Sequence, residues 1–312
     1  MQRDARTILA AFVLLLTAVP AAKAADVAAL PVTEVAPGVF VHAAPISLAR
    51  PSNEGAIANA GFVVGRDAVA VIDTEGSETA GRRLLAAVRA KTGLPIRYVV
   101  NTHVHPDHLL GNAAFAGEGA AFVGHRNLPE ALAARGPGYL GAARDLIGED
   151  AVRGSRLVSP TRLVADRLDL DLGDRRLVIE AWPTAHTSAD LTVLDDATGT
   201  WFLGDLLFAG HVPALDGRIS GWLSLLGRLE RREAKRVVPG HGPAGMPWPD
   251  AIRPTRRYLE ILRRDVRGVI RAGGTIGEAA AEAGRSEAGA WDLFEDFNAR
   301  NATAAYQELE WE

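Results

Sequence analysis

Three histidines and one aspartate crowd into six residues directly after a short apolar run. Residues 96–100 lead without a break into Asn101-Thr102-His103-Val104-His105-Pro106-Asp107-His108. His103 and His105 are two apart, so on an extended segment they point to the same side. Pro106 breaks the regular backbone and redirects it, which lets Asp107 and His108 address a second point close by. One loop can therefore present two pairs of donors, and a strand feeding it holds them rigidly at a sheet edge. A polar surface loop accounts for a single histidine. Three with an aspartate in this spacing call for metal.

Eight histidines occur in all, and two more stand at distinctive positions. His186 lies in Pro183-Thr184-Ala185-His186-Thr187-Ser188, just past an expected strand. His241 lies in Pro239-Gly240-His241-Gly242, where flanking glycines permit a tight turn and close approach. Asp205 follows Trp201-Phe202-Leu203-Gly204, an apolar strand ending in Gly-Asp, where it could bridge two ions at the same sheet edge.

Short apolar segments bounded by Gly, Pro or Asp predict strands at 39–41, 61–64, 69–72, 96–100, 121–123, 168–172, 177–181, 191–194, 201–203 and 236–238. Ser77 can cap a helix running to about Thr92, and helical patterns lie near 128–134, 222–232, 255–271, 276–283 and 291–306. Strand hairpins mixed with amphipathic helices predict an α/β chain of sheets covered by helices. Residues 136–161, rich in glycine at the start, show no clear strand pattern and read as a cover over a site or a long surface loop. No Pro-rich or Gly/Ser-rich linker divides 25–312, which reads as one continuous domain.

Arg3 and Arg6, the apolar run 8–19 and Ala22-Lys23-Ala24 describe a secretory signal peptide over 1–24. The apolar run is shorter than the ~20 residues a bilayer span needs, so no stable membrane anchor is expected after cleavage. A periplasmic or secreted location follows. Cleavage removes Arg3, Arg6, Lys23 and Asp4, taking the charges from 34 basic and 38 acidic to 31 and 37. That acidic balance without a basic run argues against nucleic acid as a partner and leaves a small-molecule substrate. The chain has no Cys, so any metal site must be built from His and carboxylates.

The series His103-x-His105-x-Asp107-His108, then His186, Asp205 and His241, resembles the metallo-β-lactamase superfamily in order and spacing. The likeness runs from Val39-Phe40-Val41 to Pro239-Gly240-His241-Gly242 and includes Val71-Ile72-Asp73. It implies a four-layer αββα sandwich with metals in a groove at one edge of the paired sheets, followed by a helical C-terminal region. It also implies that His103, His105 and His186 hold one ion, that Asp107, His108 and His241 hold a second, and that Asp205 bridges them. The missing Cys sets aside lactamases with a cysteine ligand, and Asp205 points toward glyoxalase-like and lactonase-like hydrolases. Residues Gly204-Asp205-Leu206-Leu207-Phe208, His211-Val212-Pro213-Ala214-Leu215-Asp216-Gly217 and the C-terminal Arg300-Asn301-Ala302-Thr303-Ala304 and Glu308-Leu309-Glu310-Trp311-Glu312 resemble the exported quinoprotein relay system zinc metallohydrolases. That narrower likeness implies a functional link to quinoprotein dehydrogenases.

Two divalent ions can share a water, lower its pKa toward ~7 and so supply hydroxide to attack an ester, lactone, thioester or amide carbonyl. Asp107 and Asp205 are the candidate catalytic groups, orienting the nucleophile and accepting its proton. The donor types suit two zinc ions and also accommodate iron or manganese. Asp73 and Asp190 read as partners of ligand histidines or as strand-end caps. His211 reads as a groove residue binding substrate or as a loop histidine. His42 and His125 are expected to be structural, and Trp222 to pack its helix. Two other readings stand beside the hydrolase: a non-catalytic metal-binding accessory of a quinoprotein system, and a mononuclear iron persulfide-type oxygenase.

Overall fold

The computed structural model describes residues 27–312, so the expected signal peptide lies outside the described residues. Seven strands form the first sheet, in chain order side by side: β1 (Thr33–Ala36), β2 (Val39–His42), β3 (Ala60–Val64), β4 (Val69–Ile72), β5 (Ile96–Val100), β6 (Ala121–His125) and β7 (Arg162–Val164). Pairing is antiparallel from β1 to β4 and parallel from β4 to β7. The second sheet places β8 (Arg167–Asp171), β9 (Arg176–Ala181), β10 (Leu191–Asp195), β11 (Thr200–Phe208), β12 (Arg236–His241) and β13 (Met246–Pro247) in sequence. Its pairs are antiparallel except β11 with β12, which run parallel.

Strand alternation sorts the side chains into layers. On β4, Ala70 and Ile72 point between the sheets, where they meet Leu177, Ile179, Val193 and Phe202 of the second sheet. Val69 and Val71 face the other way, onto Leu84 and Val88 of α1 (Glu78–Lys91). The Ser77 hydroxyl caps that helix by accepting from the Ala80 amide at 3.1 Å. On β11 the same rule turns Phe202 inward, while Trp201 and Leu203 face a helical layer. The result is the αββα sandwich.

Between β5 and β6 lie two single turns, α2 (Pro106–Leu109) and α3 (Asn112–Phe115). Pro106 occupies the first helical position, so the chain does not merely bend there: it starts a helix, which suits a residue without an N–H. After β6 come α4 (Leu128–Ile147) and α5 (Glu149–Val152). Residues 136–147 are therefore helical, where a loop or cover without regular structure was expected. Pro137 and three nearby glycines weaken local propensity, but Leu132, Ala143 and Ile147 bury against Val104, Leu109 and Ala189, and that packing overrides it. The outer layer on the second sheet is built from α6 (Ile219–Leu229), α7 (Ile252–Arg271), α8 (Ile276–Glu282) and α9 (Phe294–Leu309). Trp222 on α6 is fully buried and donates its indole N–H to the Leu206 carbonyl at 3.1 Å, as packing predicts. No helix among the described residues is long and apolar enough to cross a membrane.

Candidate metal centre

Four segments meet at one edge of the two sheets. The stretch after β5 brings His103, His105, Asp107 and His108; the β9–β10 turn brings His186; β11 brings Asp205; and β12 ends on His241. Asp205 does not end its strand, as the Gly-Asp pattern suggested. β11 continues to Phe208, and a shift of register against β12 at Gly204, whose φ is 51°, turns Asp205 into the site.

The donor atoms of His103, His105, His186 and Asp205 lie within 4.8 Å of one another, and so do those of Asp107, His108 and His241. Asp205 stands between the groups. Its Oδ2 is 3.6 Å from His103 Nε2, 3.4 Å from His186 Nε2 and 3.6 Å from His241 Nε2, and its Oδ1 is 3.1 Å from His108 Nε2. His103, His108, His186, His241 and Asp205 are buried, while His105 and Asp107 open partly to a cavity.

Each histidine has its other ring nitrogen tied to a neighbour. His108 Nδ1 donates to Asp73 Oδ2 at 2.8 Å, His186 Nδ1 to the Ala214 carbonyl at 2.7 Å, and His241 Nδ1 to the Ile57 carbonyl at 2.9 Å. The Thr102 hydroxyl donates to Asp73 at 2.7 Å, so the 3.0 Å contact with His103 requires Nδ1–H of that ring to donate back to Thr102. His105 is reversed: Nε2 donates to Asp216 Oδ2 at 2.9 Å, leaving Nδ1 to face the cluster. These acceptors set the tautomers and aim four nitrogens at Asp205, with His105 Nδ1 turned to His186.

The same bonds expose a conflict that a cation resolves. His105 Nδ1 and His186 Nε2 face one another at 3.0 Å with both ring protons engaged elsewhere. His103 Nε2 is buried without a hydrogen-bond partner. Lone pairs packed in this way are costly unless a positive ion sits among them. The residues fit a dinuclear site.

Electrostatics agree. Burial pushes His103 well below the usual imidazole range and His186 down to about 3, so both stay neutral, the form that ligates. Burial opposes protonation of His241 too, but Asp205 and Asp107 outweigh it and raise the group to about 10. For Asp205 burial disfavours the charge, yet His108, His241 and His103 hold it well below the usual carboxylate range. Without a metal, protons on His108 and His241 occupy the places that a cation would take.

The remaining candidates divide. Asp73 orients His108 and Thr102, as expected of a ligand's partner. Asp190 accepts from the Thr187 amide and hydroxyl and touches no ligand histidine; it caps the turn that carries His186. His211 lies beside the cluster, its ring 4.9 Å from that of His241, and lines the cavity. Burial and His241 depress it to about 4, leaving a neutral imidazole. His42 and His125 are buried away from both groups. Asp216, which stabilises His105 and also takes Arg135, had no assigned role in the sequence.

Glu75 was also missed. It is fully buried at φ 73°, neither carboxyl oxygen has a hydrogen-bond partner, and the His42 ring, whose Nε2 lies 3.8 Å away, is held below the usual imidazole range by burial. Burial raises its pKa well above 4.5, so Glu75 adds stability while protonated and loses that contribution as pH rises through the folded value. In the metal-free protein, Glu75→Gln should gain stability relative to wild type as pH rises above the ordinary glutamate range, because the amide has no charge to bury. Melting curves at each pH check this, and a constant difference would refute it.

The family model of the Metallo-beta-lactamase superfamily matches residues 54–241. Among solved structures, a metallo-beta-lactamase from Pontibacter korlensis aligns with TM-score 0.60 at 21% identity, covering 74% of this chain and 99% of that one. A metallo beta lactamase from Erythrobacter litoralis aligns with TM-score 0.56 at 21% identity, over 73% of this chain and 95% of that one. The stereoselective inverting sec-alkylsulfatase Pisa1 from Pseudomonas sp. aligns with TM-score 0.68 at 16% identity, covering 90% of this chain and 50% of its own. No curated protein matches.

Proposed function

The chain belongs to the metallo-β-lactamase superfamily, and from that premise we propose that it is an exported dinuclear metallohydrolase acting on an ester, lactone, thioester or amide. The observation that carries this reading is the set of five histidines whose outer nitrogens are all tied down, with the inner nitrogens of His103, His108, His186 and His241 within 3.6 Å of Asp205 and that of His105 facing His186. In this reading His103, His105 and His186 hold one ion, Asp107, His108 and His241 the other, and Asp205 faces both. Such a pair of ions supplies a water of lowered pKa and polarises the electrophile's oxygen.

The chain's own groups then have distinct tasks. Asp107 opens to the cavity and offers a carboxylate there to orient the nucleophile and take up its proton. Asp205, buried and ionised, fixes the opposite side. His211, neutral with Nδ1 donating to the Val212 carbonyl, presents its ring to the cavity wall beside His241. Asp216 and Asp73 keep His105 and His108 in orientation.

The likeness of 204–217 and the C-terminal segment to quinoprotein relay zinc metallohydrolases supports a periplasmic or secreted setting beside quinone-cofactor dehydrogenases. Protein purified from the exported fraction should begin near Ala25, and N-terminal mass analysis checks this. Zinc-loaded protein should carry two ions and hydrolyse a member of a chromogenic ester, lactone, thioester and β-lactam panel. A chelator should cut that turnover by about 10²-fold or more, and added zinc should restore it. Full metal loading with no turnover across the panel would favour the accessory reading; one iron per chain would favour the oxygenase.

A further inference from the structure

The cavity over Asp107, Asp205 and His241 has a volume of about 340 Å³, within the range of small-molecule pockets. Its wall is built from apolar side chains of three separate segments. Leu48 and Ile57 come from the loops before β3, Ala142 and Leu146 from α4, and Phe297 from α9. Leu48 and Leu146 remain 45% and 55% exposed, two of only six large apolar side chains so exposed among the described residues. Apolar surface left uncovered at the mouth of a cavity marks where a ligand covers it.

One arginine faces this wall. Arg300 of α9 lines the cavity, and its guanidinium makes no hydrogen bond among the described residues. It approaches Asp216 only to 3.9 Å, and that carboxylate is already engaged by His105 and Arg135. Two guanidiniums thus share one carboxylate, and Arg300 is the one whose donors are uncommitted. A guanidinium beside apolar surface selects an oxyanion attached to an apolar body.

We infer that the substrate is an amphipathic anion, with an apolar chain or ring on the Leu48, Ile57, Leu146 and Phe297 wall and an oxyanion on Arg300. The inference rests on the hydrolase reading only in calling the bound molecule a substrate; the pocket's preference stands without it. Among residues flanking the metal groups, Arg300 and Leu146 set specificity and leave the ligand set untouched.

Metal-loaded protein titrated calorimetrically with 1-octanesulfonate, methanesulfonate and neutral octyl methyl sulfone separates the two contributions. Octanesulfonate should bind about tenfold or more tighter than either control, because each lacks one of the two contacts. Arg300→Leu should remove the advantage over the sulfone and leave sulfone binding unchanged. Leu146→Gln, a change at an exposed position, should weaken both octyl ligands about threefold. Metal content should stay constant in both variants. Equal binding of all three probes, or an Arg300→Leu variant that weakens the sulfone and the sulfonate alike, would overturn the inference. Turnover of the chromogenic ester, lactone, thioester and β-lactam panel, followed in the same preparations, judges the hydrolase reading separately. Binding preference without turnover leaves the pocket inference standing and removes only the hydrolase; turnover without preference removes the inference alone.

Discussion

Asp205→Ala is expected to lower metal content from two ions per chain toward one and to reduce turnover by roughly 10³-fold. Among the described residues this side chain is the only one whose oxygens approach both donor groups, at 3.4 and 3.6 Å on one side and 3.1 and 3.6 Å on the other. It is also the largest raising influence on His108 and His241, so its removal leaves those rings without the charge that balances a cation or proton. Buried groups stripped of their counter-charge are costly, and the second ion is the natural casualty. Metal quantification beside initial rates checks both parts. An unchanged metal count would refute the bridging position of Asp205.

Gly240→Ala should do comparable damage from a residue that bears no donor at all. β12 passes so close to β11 that a Cβ at Gly240 would lie 1.8 Å from Asp205 Oδ1 and 2.8 Å from the Asp205 amide nitrogen. The strands must part or Asp205 must swing away, and either outcome spoils the line of donors that ends in His241. Overpacking of this kind costs about 1–3 kcal/mol of stability. Loss of the Asp205 position should add a fall in turnover of about 10²-fold or more. Gly227→Ala on α6 is the control: nothing lies within 4 Å of its Cβ position, and the change should stabilise the helix by roughly 0.5–1 kcal/mol. Thermal melts and metal counts of the two variants should move in opposite directions for stability. If Gly240→Ala keeps both ions and its turnover, the packing argument fails.

Much of the site was legible because metal ligation demands particular side chains at the ends of apolar strands. His103, His105, Asp107 and His108 stand within a single short segment, and His186 and His241 each follow a strand whose alternation is visible locally. Asp73 was readable as a partner of these histidines, but the other partners were not. Asp216 lies 111 positions from His105, and its importance exists only once α4 and α9 carry Arg135 and Arg300 beside it. Glu75 has no distinguishing neighbour in sequence, and its burial is a property of the closed sheet edge. Short edge strands such as β1 and β7 escaped for a related reason: their exposed residues carry little hydrophobic alternation.

The sequence by itself determined the fold class and picked out seven candidate donors that meet at this edge, all His or carboxylate because a composition without Cys offers no thiolate. Tertiary structure alone decided how those donors face each other, because ring tautomers depend on acceptors contributed by distant segments. It also decided that residues 136–147 form a helix walling the cavity. Local propensity there, with Pro137 among glycines, points away from a helix, and only burial against Val104, Leu109 and Ala189 outweighs it.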